Sequence, residues 1–70
     1  MAKETRESII IKDLRARTGL SQQKFGMLFH IVPTNIANWE QGITIPPEHV
    51  VYMLSRLIEI DPNVPHVNRD

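Results

Sequence analysis

The chain has 70 residues, with 8 lysine and arginine side chains against 8 aspartate and glutamate side chains, and it has no cysteine. A chain of this length can form one small domain, which buries only about 60% of the surface that its unfolded form exposes. Without cysteine, that domain cannot be stabilised by disulfides or bind a metal through thiolates. The zero net charge lacks the basic surplus of a typical nucleic-acid-binding protein, so any indication of that function must come from the residue pattern.

The N-terminal residues predict a soluble, cytoplasmic protein that contacts no membrane. Met1–Glu7 is charged, and the longest apolar run near it is Ile9–Ile11. A run of that length is far shorter than the apolar core of a signal peptide or a membrane span. The absence of cysteine agrees with a reducing compartment.

The first predicted helix runs from about Thr5 to Arg17. The side chains that recur there at helical spacing are Ile10 or Ile11, Leu14 and Thr18. Charged residues fall between them, which is typical of an amphipathic helix. Gly19 follows, at a position where a left-handed residue commonly ends a helix.

Two short helices are predicted next, joined by a tight turn. Ser21 offers an N-cap hydroxyl to a helix over Gln22–Phe29. Proline suits the first position of the following helix, Pro33–Gln41, which Gly42 ends. Two helices of about two turns with such a turn between them make a helix-turn-helix unit at about residues 21–42. In such units the second helix lies in the DNA major groove.

The fourth predicted helix begins near Glu48 and ends at about Ile60, because Asp61 precedes a proline and is pushed out of the helical region. We therefore expect an all-α fold of four or five helices, with a DNA-binding domain over residues 1–60. Residues 61–70 are predicted to form a C-terminal tail.

The sequence contains more apolar side chains than a four-helix monomer is expected to bury. The surplus ones are Ile43, Ile45, Val51, Tyr52 and Ile58. Exposed apolar patches usually mark interfaces, so we expect a two-fold homodimer. Such a dimer would present its two third helices one turn of DNA apart, about 34 Å.

Short motifs along the chain resemble those of a known family. They are Leu14-Arg15, Gly19-Leu20-Ser21-Gln22, Phe25, Ile36, Trp39-Glu40-Gln41-Gly42 and Pro46 or Pro47. On these motifs, Glu7 to Leu57 resembles the Cro-type, phage-repressor-like (XRE) helix-turn-helix family. The resemblance implies a compact lambda-repressor-like domain whose partner is double-stranded DNA. Residues 47–62 are also similar, more weakly, to HigA- and MqsA-like antitoxins, which would imply a toxin as partner.

The resemblance implies roles for individual residues. Thr34 and Asn38, with Asn35 beside them, match positions that contact base edges. The residues expected at the DNA backbone are Ser21, Gln22, Lys24, Pro33 and Gln41. Arg15 and Glu40 match a structural salt bridge. The chemistry agrees, since an asparagine amide can both donate to and accept from adenine, and threonine can contact a base edge or a thymine methyl.

The sequence departs from the family pattern at several positions. His30 occupies a turn position where glycine is usual, so its backbone is expected to be less left-handed or strained. Val32 precedes the third helix but cannot cap it. The segment Pro33–Pro47 contains no lysine or arginine. The cations left to neutralise phosphates are Lys12, Arg17 and Lys24, with Arg6 or Arg56.

The pattern leaves two functions open. The preferred one is a transcriptional repressor that occludes promoter DNA. The alternative is a protein-interaction module, such as an antitoxin, with little DNA affinity, and it is favoured by the neutral charge and the surplus apolar surface. No enzyme, metal or cofactor is expected, because the serines lack an adjacent base and His30, His49 and His66 lack ligand spacing. Trp39 shares a helix face with Ile36 and is expected in the core.

Overall fold

The computed structural model describes residues 4–67, and this part of the chain forms four α-helices without a strand. They are α1 (Arg6–Thr18), α2 (Gln22–Phe29), α3 (Pro33–Glu40) and α4 (Glu48–Ile60). α1, α2 and α3 pack together, and α4 packs on α1. The predicted all-α fold is confirmed. No helix within the described residues is both long and apolar enough to cross a membrane.

Side-chain caps begin the first two helices. The Thr5 hydroxyl accepts a hydrogen bond from the backbone N–H of Ser8, and the Ser8 hydroxyl accepts one from the backbone N–H of Thr5, at 3.0 and 2.8 Å. This reciprocal pair satisfies N–H groups that the start of a helix leaves without partners. The predicted Ser21 cap is confirmed, since its hydroxyl accepts from the N–H of Lys24 at 3.1 Å. Gly19 ends α1 in the left-handed region, with φ of 73°.

The turn between α2 and α3 contains a left-handed residue with a side chain. His30 has φ of 60° and ψ of 41°. The expectation of a less left-handed backbone is wrong, and the alternative of strain applies, because a Cβ crowds the carbonyl oxygen in this region. The conformation lets the N–H of Ile31 donate to the carbonyl of Gly26 at 2.8 Å, which closes the turn.

Replacing His30 by glycine should therefore raise the free energy of unfolding by about 0.5–1 kcal/mol. Relief of roughly 1–2 kcal/mol of left-handed strain is offset in part by the greater freedom of glycine in the unfolded chain, about 0.4–1 kcal/mol. Urea unfolding followed by circular dichroism measures the change. His30→Ala is the matched control, because it removes the imidazole and keeps the Cβ. An equal gain with alanine would assign the effect to the ring instead of the backbone.

The core surrounds α1, against which the other three helices pack, and all four helices contribute to it. Its members are Ile11, Leu14, Phe25, Ile36, Trp39, Leu54, Ile58 and Val64. Of the two isoleucines proposed for the face of α1, Ile11 is fully buried and Ile10 is only partly buried. Trp39 is in the core, as predicted. Ile58, predicted as surplus surface, is also in the core, because it lies one helical turn from Leu54 on the same side of α4.

Residues 61–67 pack back onto the helices. The side chain of Val64 is 4% exposed, and the N–H of Val67 donates to the carbonyl of Arg17 at 2.7 Å. A Cβ on Gly19 would lie 2.8 Å from a methyl of Val67, so the glycine that ends α1 also makes room for this segment. The packed chain thus extends beyond residue 60, where the sequence placed the start of a tail. The rest of that predicted tail, residues 68–70, lies outside the described residues.

Candidate nucleic-acid interface

α2 and α3 form a helix-turn-helix unit with a close approach at Gly26. A Cβ on Gly26 would collide with the carbonyl oxygen of Ile31, and it would lie 3.3 Å from Ile36 and 3.4 Å from Pro33. A larger residue here would push the start of α3 away from α2. Sequence reasoning missed this residue, although a glycine in the middle of a two-turn helix is a signal of close packing.

α3 has a buried apolar side and an exposed polar side. Ile36 and Trp39 are 0% and 7% exposed. The polar side chains that are exposed or partly exposed are Thr34, Asn35, Asn38 and Gln41. The buried pair fixes the rotation of α3 about its own axis, so Thr34, Asn38 and Gln41 face away from the core. Asn35 lies one turn from Trp39 and lines the same apolar groove as Trp39.

A glycine-dependent motif ends α3. The N–H of Ile43 donates to the carbonyl of Asn38 at 2.9 Å, and the N–H of Gly42 donates to that of Trp39 at 3.2 Å. Gly42 has φ of 75°, which a residue without a Cβ adopts at little cost. At the other end, Val32 provides no side-chain cap, as expected.

A partly buried ion pair joins α1 to the end of α3. The Nε and Nη2 atoms of Arg15 donate to the two carboxylate oxygens of Glu40 at 2.6 and 3.0 Å. Arg15 also donates to the carbonyl of Leu20 at 3.0 Å, and the side-chain amide of Gln22 donates to Glu40 at 3.1 Å. One carboxylate, 7% exposed, thereby connects α1, α2 and α3.

A family model described as helix-turn-helix matches residues 11–64, most of the chain. The chain belongs to this family. The match confirms the XRE-type resemblance, and it ends at the last buried core residue, Val64, beyond the predicted limit at Leu57. No curated protein and no solved structure matches the chain. Membership of this helix-turn-helix family makes the protein a DNA-binding regulator, in which α3 corresponds to the recognition helix.

The ion pair of this helix-turn-helix domain is charged in the folded state. Burial by itself raises the pKa of the Glu40 carboxyl, but the hydrogen bonds from Arg15 and Gln22 outweigh it and hold the pKa below its ordinary value. The hydrogen bond to Glu40 raises the pKa of Arg15. The pair therefore keeps its geometry at neutral pH.

Three of the residues predicted to contact the DNA backbone cluster at the start of α2. The Ser21 hydroxyl caps α2 through the N–H of Lys24, and the Lys24 side chain is exposed. The side-chain amide nitrogen of Gln22 donates to Glu40. Pro33 and Gln41 are exposed at the two ends of α3. These five positions thus lie at the N-terminal end of α2 and at the two ends of α3.

The cations predicted to neutralise phosphates differ in what they contact. Lys12 pairs with Glu4 and Arg17 pairs with Asp13, each at 3.0 Å between exposed side chains. Such exposed pairs contribute about 0–1 kcal/mol, so a phosphate can displace the carboxylate at small cost. Lys24 forms no ion pair within residues 4–67, and it is the cation of the α2–α3 unit.

Proposed function

We propose that the protein is a homodimeric transcriptional repressor of the cytoplasm that inserts α3 into the major groove and occludes promoter DNA. The observation that supports this function is the polar side of α3, where Thr34 and Asn38 face away from buried Ile36 and Trp39. Polar side chains near the start of the recognition helix are the ones that contact base edges in helix-turn-helix proteins.

The side chains on this side of α3 suit direct contact with bases. Thr34 and Asn38 are four residues apart and therefore lie on one face, one turn from each other. The Asn38 amide can make a bidentate pair with adenine, and the Thr34 methyl can contact the methyl of thymine. Asn35 offers a second amide beside them.

Contacts to the DNA backbone would hold this helix in register. Lys24 supplies a positive charge, and the first turn of α2 presents free N–H groups that suit a phosphate oxygen. Because the Gln22 side chain donates to Glu40, we propose that Gln22 contacts phosphate through its backbone N–H. Ser21 and Pro33 flank this site, and Gln41 lies at the far end of α3.

Asn38→Ala should weaken binding to the cognate site by about 1–3 kcal/mol and change binding to random DNA much less, because it removes a base contact and no charge. Fluorescence anisotropy with the DNA upstream of the protein's own coding region, beside a scrambled duplex, measures both affinities. Asn63→Ala is the matched control, since it makes the same chemical change on an exposed residue outside α3. Equal losses on both duplexes would contradict the proposed base contact.

The second candidate, a protein-interaction module, is favoured by the absence of lysine and arginine between Pro33 and Pro47. With three or four cations engaged per subunit, the salt slope of DNA binding would be about −3 to −4 per monomer. At least about a thousandfold preference for the upstream DNA at physiological salt would support the repressor. Weak binding to both duplexes that disappears with salt, together with a protein that copurifies, would support the second candidate.

A further inference from the structure

Exposed apolar side chains line a depression of about 540 Å³ between the start of α1, the α3–α4 loop and the start of α4. Ile45 and Tyr52 are 63% and 65% exposed there, and Arg6, Glu7 and Glu48 lie beside them. One cation beside two carboxylates gives this surface no charge pattern that indicates a partner. The chain that follows α4, by contrast, makes defined contacts at both of its ends.

Residues 61–67 form a segment that we call the C-terminal strap, and hydrogen bonds to Asp61 close its first turn. The carboxylate of Asp61 accepts from the backbone N–H of Asn63 at 2.9 Å, and the Asp61 carbonyl accepts from the N–H of Val64 at 3.1 Å. An aspartate that bonds the backbone two residues further on makes a local turn. This turn directs the chain back after α4 and places the side chain of Val64 in the core.

The other end of the strap contacts the end of α1. The N–H of Val67 donates to the carbonyl of Arg17 at 2.7 Å, and this carbonyl is among the last four of α1, which have no partner within the helix. A methyl of Val67 lies 2.8 Å from the position that a Cβ of Gly19 would take, so the valine packs directly on the Gly19 backbone. Val67 thus holds the point at which α1 ends.

The point that Val67 holds is close in sequence to the start of α2. Only Leu20 lies between Gly19 and Ser21, the residue that caps α2. The N–H of Leu20 donates to the Thr18 hydroxyl at 3.2 Å, which fixes the turn between α1 and α2 relative to α1. Val67 packs against the same turn from a distant part of the sequence. A displacement of the turn would therefore move the first turn of α2 with it.

We propose that Val67 is a positioning residue for DNA binding, which acts through the α1–α2 turn on the start of α2. The inference rests on the proposed contact between α2 and phosphate, which uses the N–H groups of the first turn and the charge of Lys24. Groups that are already ordered lose less free energy on binding than groups that must first be ordered. The family match ends at Val64, so the family pattern assigns no role to Val67.

Val67→Pro tests this role, because proline lacks the N–H that donates to Arg17 and keeps an apolar side chain. Amide hydrogen exchange of the free protein should become about two- to tenfold faster at Gly19 and Leu20, the factor that loss of one hydrogen bond produces. Fluorescence anisotropy should show an affinity lower by about the same factor for the upstream DNA and for the scrambled duplex, since phosphate contacts carry no sequence information. Both measurements are made at a temperature at which circular dichroism shows each variant to be folded.

His66→Pro is the matched control, since the N–H that it removes has no backbone acceptor in the described part of the chain, and both affinities should stay unchanged. Val67→Ala keeps the N–H and removes the methyl that packs on Gly19, so it should show a smaller loss in the same direction. A lower melting temperature with unchanged affinity in Val67→Pro, a loss confined to the upstream DNA, or an equal loss in His66→Pro would overturn the inference. A wild-type chain that binds neither duplex would refute the proposed function instead, and the exchange rate at Leu20 would then decide whether Val67 holds the turn.

Discussion

Arg15→Met will lower the free energy of unfolding by about 3–5 kcal/mol, which is a large part of the stability of so small a domain. The substitution leaves the Glu40 carboxylate, 7% exposed, with the Gln22 amide as its hydrogen-bond partner. A buried charge without its counter-ion costs much more than the net contribution of the pair, because its desolvation is no longer offset. Methionine keeps most of the packing of the arginine stem, so the loss reports on charge.

Removing the charge of Glu40 should cost less stability than removing the charge of Arg15. The Arg15 side chain is 27% exposed and retains the Leu20 carbonyl, so Glu40→Gln leaves a cation that still has water and one acceptor. We expect Glu40→Gln to cost less than Arg15→Met, and the double variant to cost less than Arg15→Met alone. Urea unfolding of the four proteins gives the double-mutant cycle.

Lys12→Met is the control for this experiment, because Lys12 pairs with Glu4 on the surface. It should change stability by less than about 1 kcal/mol. A loss for Arg15→Met no greater than that of the control would show that Glu40 is adequately solvated without its partner.

The pH dependence of stability should also change in Arg15→Met. In the wild type the folded-state pKa of Glu40 is lowered. Its contribution to the free energy of unfolding is therefore present above the unfolded-state pKa and is lost as the pH falls through the folded-state pKa. In Arg15→Met the hydrogen bond from Arg15 no longer lowers this pKa while burial still raises it, so the folded pKa of Glu40 should be higher than in the wild type and the variant should lose less stability as the pH falls. The difference in stability between wild type and variant should therefore shrink as the pH falls into the range in which a carboxyl group titrates, about pH 4. A constant difference would contradict an unpaired carboxylate.

The helices were predictable because their signals are local. Ser21 and Gly19 act on their own neighbours, and the spacing of Ile36 and Trp39 is enough to identify the buried side of α3. Val64 was not predictable in this way. It is a single apolar residue near two prolines, and its burial depends on where the chain returns after α4. Ile58 needed the same tertiary information, namely which side of α4 faces α1.

In the candidate site too, some contacts could be predicted from local motifs and others depend on tertiary packing. The family motifs implied the contact between Arg15 and Glu40, but nothing local distinguishes a Gln22 amide that binds Glu40 from one that meets water or phosphate. The depression between α1 and α4 likewise depends on bringing Arg6 and Glu48 together from distant parts of the chain. Sequence patterns indicated surplus apolar residues, and only the packing of α1 against α4 placed charges of both signs around them.

Gly26→Val should destabilise the domain by about 3 kcal/mol, near the upper end of the usual cost of overpacking. The new Cβ would meet the Ile31 carbonyl oxygen, and the added methyl groups would extend toward Ile36 and Pro33. A backbone oxygen cannot move aside as the end of a flexible side chain can, so α3 must shift relative to α2. Urea unfolding measures the cost.

Two comparisons separate steric exclusion at Gly26 from helix propensity. Met27→Val introduces the same β-branched residue at a neighbour that is 69% exposed, and it should cost less than about 1 kcal/mol. Gly26→Ala should also destabilise the domain, though by less than Gly26→Val, because its Cβ alone meets the Ile31 carbonyl oxygen and the roughly 1 kcal/mol that alanine gains in a helix offsets only part of that cost. If Gly26→Val were no worse than Met27→Val, the close approach of α2 and α3 would not depend on a missing side chain. The orientation of the recognition helix would then rest on Phe25, Ile36 and the Arg15–Glu40 pair alone.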